Sequence, residues 1–271
     1  MSDQVHHLSM GIWVVLLAVG TAAIGTYVGV ACARRAAFAP NRRAMWTAIA
    51  VLAIGGVAFW LANIVVLAGF EVDDSAVRYE SVRIVGSLIL CLAAAFAGLL
   101  ISRSRGGNRH VSTGDRLIIK VMAGAAAMGL GMTAGFYLVM TSIEVQGRTY
   151  MDGALIAVAA VAAVLASIGV LWMATADVPR VVLACGSGAV GLAPVAMHAA
   201  MMAALRVRLD GVSTTPPGVE VFAILFPAFV IGMLILAVPT VALLLAPDRL
   251  TAELEEQARM WVRQEESPRH G

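Results

Sequence analysis

The side chains of this sequence that could hold a metal are few, and several fall on one stretch, Ala193 to Val207, which reads APVAMHAAMMAALRV. A helix places residues four apart on one face, so His198 pairs with Met202, and Met197 pairs with Met201 on a nearby face. Imidazole and thioether together suit a soft cation, Cu(I) above all. Met128, Met132 and Met140 form a similar stripe upstream, although methionine is a flexible gap-filler and packing is the ordinary use of such a stripe. His198 is different. It is the one Asp, Glu, Lys, Arg or His well inside an apolar run, a placement that usually faces a bundle interior and serves a function. Its structural use would be a hydrogen bond, with Asn63 or Tyr137 as the partner. His6, His7 and Met10 precede the first apolar run and could add ligands, but chain ends are seldom held in place.

A second chemical signature lies just upstream. Gly186-Ser-Gly188-Ala-Val-Gly191 has the spelling of a dinucleotide-binding turn, and Leu205 to Asp210 could pass as its second strand ending in a ribose-binding acid. That reading requires a βαβ unit in water. Val181 to Leu205 is instead a continuous apolar run, in which isolated strands would leave backbone groups unsatisfied, so the segment is expected to be one helix and no nucleotide is expected. The glycines Gly186, Gly188 and Gly191, with Gly124, Gly129, Gly131 and Gly135 upstream, then serve close approach between helices. Pro194 is expected to kink the helix below His198.

The elements that must position these residues follow from composition. Of 271 residues 60% are apolar and 13% charged, against about half and a quarter in a soluble domain. Seven runs are long enough for a bilayer, at 10–33, 45–69, 82–102, 117–140, 153–175, 181–205 and 219–245. The fold class is therefore an all-α membrane protein of seven transmembrane helices. Fourteen Arg and Lys fall in one set of alternating loops and tails, around Arg34, Arg103, Arg180 and Arg249. Five fall in the other set, beside eight acids that include Glu80 and Glu220. By the positive-inside rule the N-terminus lies outside and the C-terminus inside. Cys32, Cys91 and Cys185 all sit within spans and suggest no disulfide framework. A net charge of +2, with its arginines where a cytoplasmic face needs them, argues against nucleic acid as a partner.

After the first span the chain reads as three two-helix repeats. FWLANIVVLAGFEV (59–72), TAGFYLVMTSIEV (133–145) and APVAMHAAMMAALRV (193–207) align at their apolar-to-polar boundaries, with Asn63, Phe136 and His198 at equivalent places. Here the chain resembles the MHYT family of bacterial integral membrane sensor domains, whose pattern is three Met-His-Tyr-Thr-like motifs near the outer ends of alternate helices. Met197, His198 and Met202 take the motif's Met, His and second Met in the third copy. Tyr137 and Met140 keep family identities in the second, and the first has Ala62, Asn63 and Leu67. The resemblance runs from IGTYVGVACARRA (24–36) through the seventh span. It implies a multi-pass protein of the bacterial plasma membrane that binds copper through Met197, His198, Met202 and Met140 and senses a gas.

Residues 1–246 thus form the membrane domain, and 247–271 a short cytoplasmic amphipathic helix, with Leu250, Leu254, Ala258 and Trp261 on one side, followed by a disordered tail. That helix would lie on the lipid bilayer or meet a cytoplasmic protein partner. No nucleophile–base pair or carboxylate pair lies in the spans, so no enzyme is expected. Two functions remain: a sensor or ligand-binding protein with copper at the outer helix ends, or a metal-free degenerate module acting as an interaction or regulatory protein, with His198 hydrogen-bonded. A transporter is a weaker third, since no charged relay crosses the spans.

Overall fold

The structure, a computed structural model, describes residues 11–69, 77–103, 113–144, 147–209 and 217–244. Within them are seven helical spans long and apolar enough to cross a membrane, with mean hydropathy between 1.6 and 2.8. The chain has the build of a multi-pass membrane protein. Its apolar runs must be helical because only a helix satisfies every backbone N–H and C=O without help from lipid.

The first span is α1 (Ile12–Phe38). The second span runs from Pro40, which opens a 3₁₀ turn, through α2 (Arg43–Val51), a π-helical segment (Leu52–Leu61) and α3 (Ala62–Leu67). Next come α4 (Ser81–Arg103), α5 (Thr113–Met140) and α6 (Gly153–Thr175), the last capped by Asp152 Oδ1, which accepts from the Ala154 N–H at 2.9 Å. The sixth span is divided into α7 (Arg180–Gly191) and α8 (Ala193–Ala204), and the seventh is α9 (Val221–Leu244). The break at Leu192 has the expected cause: Pro194 has no N–H to give to the carbonyl of Val190, so the helix bends there.

The spans differ sharply in burial. The second is 83% buried and the seventh 11%, so the second is the central post, packed by α1, α4, α5, α8 and α9. The expected use of the glycines holds where backbones meet. A Cβ at Gly129 would stand 2.6 Å from the Cα of Val164, and one at Gly191 would stand 2.9 Å from the carbonyl oxygen of Val19. Gly188 is the exception, with nothing within 4 Å. At the Arg34 end, the guanidinium of Arg34 donates to the carbonyls of Met173 (2.7 Å), Ala176 (3.1 Å) and Val178 (3.1 Å). These carbonyls, at the C-terminus of α6 and in the link to α7, lack helical donors, and a cation there also suits the helix dipole.

The opposite end corrects two expectations. It is not wholly α: β1 (Arg78–Tyr79) pairs antiparallel with β2 (Ile143–Glu144), and β3 (Gly147–Met151) with β4 (Leu205–Leu209). The helix therefore does not run on through Leu205, because beyond Ala204 the chain has left its long apolar run and can satisfy its backbone across a ladder. This strand end also carries, among the described residues, the ion pairs Arg78–Glu220 at 3.3 Å and Arg83–Glu80 at 2.8 Å. The amphipathic helix expected after 247 and the ligands His6, His7 and Met10 lie outside the described residues.

The glycine contacts yield a paired test. Gly129→Leu is expected to lower the unfolding midpoint in detergent, with a loss on the order of 1–3 kcal/mol from overpacking against the Val164 backbone. Gly188→Ala, open on all sides, is expected to be neutral or to stabilise by about 0.5–1 kcal/mol. Equal effects of the two would contradict the packing described.

Candidate functional site

Asn63 and His198 are the two polar side chains that the apolar runs bring together. Asn63 lies on α3, near the strand end of the central span, and His198 on α8 one turn beyond Pro194. Their exposures are 0% and 2%, and the Asn63 Oδ1 to His198 Nδ1 distance is 2.8 Å. In this orientation the imidazole Nδ1–H donates and the amide oxygen accepts. A neutral ring then carries its lone pair on Nε2, so the bond to Asn63 selects the tautomer that can ligate a metal or accept a proton donor through Nε2.

Asn63 Nδ2 is buried and has no hydrogen-bond partner. Turning the amide over would satisfy the nitrogen and orphan the oxygen, so one Asn63 atom lacks a partner in either orientation. A buried polar group left unpaired costs about 1–3 kcal/mol, and such an atom is where a small polar ligand or water gains most.

The methionines expected at this site are all internal. Met197 and Met201 are fully buried, Met140 is 1% and Met202 7% exposed, and all four belong to the main core together with Met128 and Met132. Met202 shares the His198 face of α8, one turn nearer the strand end. α5, which ends at Met140, packs against α8. Phe136, at the place equivalent to His198, is fully buried and fills its position with hydrocarbon. Tyr137 does not join the site: it is 42% exposed on the outer side of α5, and Asn63 alone takes the partner role. Among the described residues no three His, Cys, Asp or Glu side chains converge, so a metal here would be held by imidazole and thioethers.

Sequence reasoning missed the second polar link of the central span. Trp60 Nε1 donates to Ser87 Oγ at 2.8 Å, and Ser87 Oγ donates to the carbonyl of Ile84 at 2.6 Å, tying the span to α4 one turn from Asn63. A Trp and a Ser inside apolar runs gave no signal that they meet. Tyr79 was also missed. It is a strand residue of β1, paired with Ile143 and 1% exposed, its hydroxyl has no partner, and burial pushes its phenol above the ordinary pKa. Cys32 and Cys91 are buried and free, and Cys185 is exposed and free, consistent with three independent apolar side chains.

Compared with known protein families, curated proteins and solved structures, the chain matches none.

The geometry predicts energetic coupling between the two polar residues. In a double-mutant cycle of Asn63→Ala and His198→Ala, followed by unfolding in mixed micelles, the coupling is expected at about 0.6–1.7 kcal/mol, the range of membrane-interior hydrogen bonds. Simple additivity would mean that the two side chains do not interact.

Proposed function

We propose that the protein is a membrane ligand-binding protein of sensor type, with His198 as the chemical centre and Asn63 as the residue that orients it. One observation carries the reading: a buried, tautomer-selecting hydrogen bond beside an amide atom that no protein group satisfies. In this reading the strand end faces outward, as the fourteen-to-five division of basic residues implies, and the site is reached from the periplasmic side of a bacterial plasma membrane.

The donor set fits Cu(I), as the resemblance to the MHYT family implies: His198 Nε2 and Met202 from one helix face, with Met197 and Met140 from the same core. Bound copper would supply a soft, electron-rich centre able to bind a diatomic gas. The chain's own part is to hold Nε2 deprotonated through Asn63, to exclude bulk water with Met197, Met201 and Phe136, and to let α8 pivot at Leu192. Movement of α8 would pass through α6 and α7 to the opposite end, where a cytoplasmic partner would read it.

A second reading is favoured by the same hydrogen bond: a degenerate, metal-free module in which Asn63 and His198 only lock the helices together. The two separate on one experiment, copper bound to purified protein under reducing conditions. The sensor reading expects stoichiometric copper in wild type, none in His198→Ala, and affinity lower by about 10–100-fold in Asn63→Leu, the usual effect of losing the group behind a ligating imidazole. No copper on a folded wild type would overturn it in favour of the second reading.

A further inference from the structure

Between α6 and the bent pair α7–α8 lies a slot of about 470 Å³, open to the side of the bundle. It runs along α6 from Ala162 to Met173, about 17 Å at 1.5 Å per residue, and along the other wall from Gly186 to Ala196. The stretch on α7–α8 is the middle of its span and the stretch on α6 is the half that ends at Thr175, so the slot opens along the apolar side of the bundle from mid-depth toward the Arg34 end. Its lining contains no charged or hydroxyl side chain. Small residues make its floor, where Gly169 meets Val190 and Gly186 meets Met173, while Leu165, Trp172 and Leu192 are 63%, 49% and 58% exposed and stand along its edges.

We propose that this slot binds a single acyl chain of a bilayer lipid. The volume falls in the range of about 300–1,000 Å³ typical of small-molecule sites. The patch is too small to hold a stable dimer, with twelve lining residues against about 20–30 a side in a standard interface. An aqueous ligand would find one hydrogen-bonding side chain there, the indole of Trp172 at the edge, whereas a lipid tail meets an almost wholly apolar wall.

The slot straddles the break at Leu192, and Ala193 and Ala196 on its wall belong to the same turns of α8 that lead to Met197 and His198. A bound chain touches both halves of the bent span and holds the bend open. This site stands independently of any metal at His198.

The test is photolabelling in nanodiscs containing a trace of phospholipid with a diazirine in mid-chain, with labelled residues located by mass spectrometry. Labelling at slot residues on α6 and α7–α8 is expected severalfold above that at equally exposed positions such as Val85 and Leu234. It should fall to that background in Ala189→Phe and Ala196→Phe, which fill the slot from exposed positions, and stay unchanged in Val85→Phe. Uniform labelling of all lipid-facing residues would overturn the proposal in favour of bulk lipid only. Unlabelled slot residues, with chemical cross-links joining two chains through α6, would overturn it in favour of a second copy.

Discussion

A polar side chain inside a bilayer must find its partner within the protein, and the 2.8 Å contact between Asn63 and His198 is this chain's answer for its most demanding pair. The bond spans 135 positions in sequence and joins the central span to the kinked sixth one. Everything around it serves that meeting. The proline break sets the direction of α8, the buried methionines and Phe136 keep the surroundings dry, and the Trp60–Ser87 link holds the central span against α4 one turn below. With the surroundings dry, an imidazole and an amide interact in a low local dielectric, where each unsatisfied atom carries a large cost and each satisfied one fixes a geometry.

Helix association in lipid gains little from hydrophobicity, because the alternative environment is equally apolar. What holds this bundle is close backbone approach, at Gly129 against Val164 and Gly191 against Val19, together with polar contacts at its ends. Arg34 spans three carbonyls at one end, and the short ladders with their ion pairs close the other. Between these two closures the side of the bundle lined by α6, α7 and α8 stays grooved, since Gly169, Gly186 and the alanines beside them leave space that no neighbouring helix fills.

The seven spans were legible because bilayer thickness sets their length, and the observed ends fall within a few residues of the apolar runs. Which span is central was not legible. The second and seventh have mean hydropathies of 2.4 and 2.8, yet 83% and 11% burial, because apolar residues are equally at home against lipid and against protein. Asn63 stands out as a polar residue in an apolar run and is one of two partners the sequence offers His198. Tyr137 was an equal candidate, and only packing decides that Phe136 points inward while its neighbour points out. Leu205 to Leu209 did carry a strand's alternation, Leu-Arg-Val-Arg-Leu, but its partner Gly147–Met151 is remote in sequence, so the pattern alone suggested a nucleotide fold's second strand rather than a cap on a membrane bundle.

The most direct measurement is the side-chain ¹⁵N spectrum of His198 in nanodiscs, using protein labelled only at histidine and the His198→Ala variant for assignment. The account predicts a neutral ring protonated at Nδ1 and bare at Nε2, changing to the ordinary tautomer or a mixture in Asn63→Leu. A proton on Nε2 in the wild type, or a spectrum indifferent to Asn63, would contradict it.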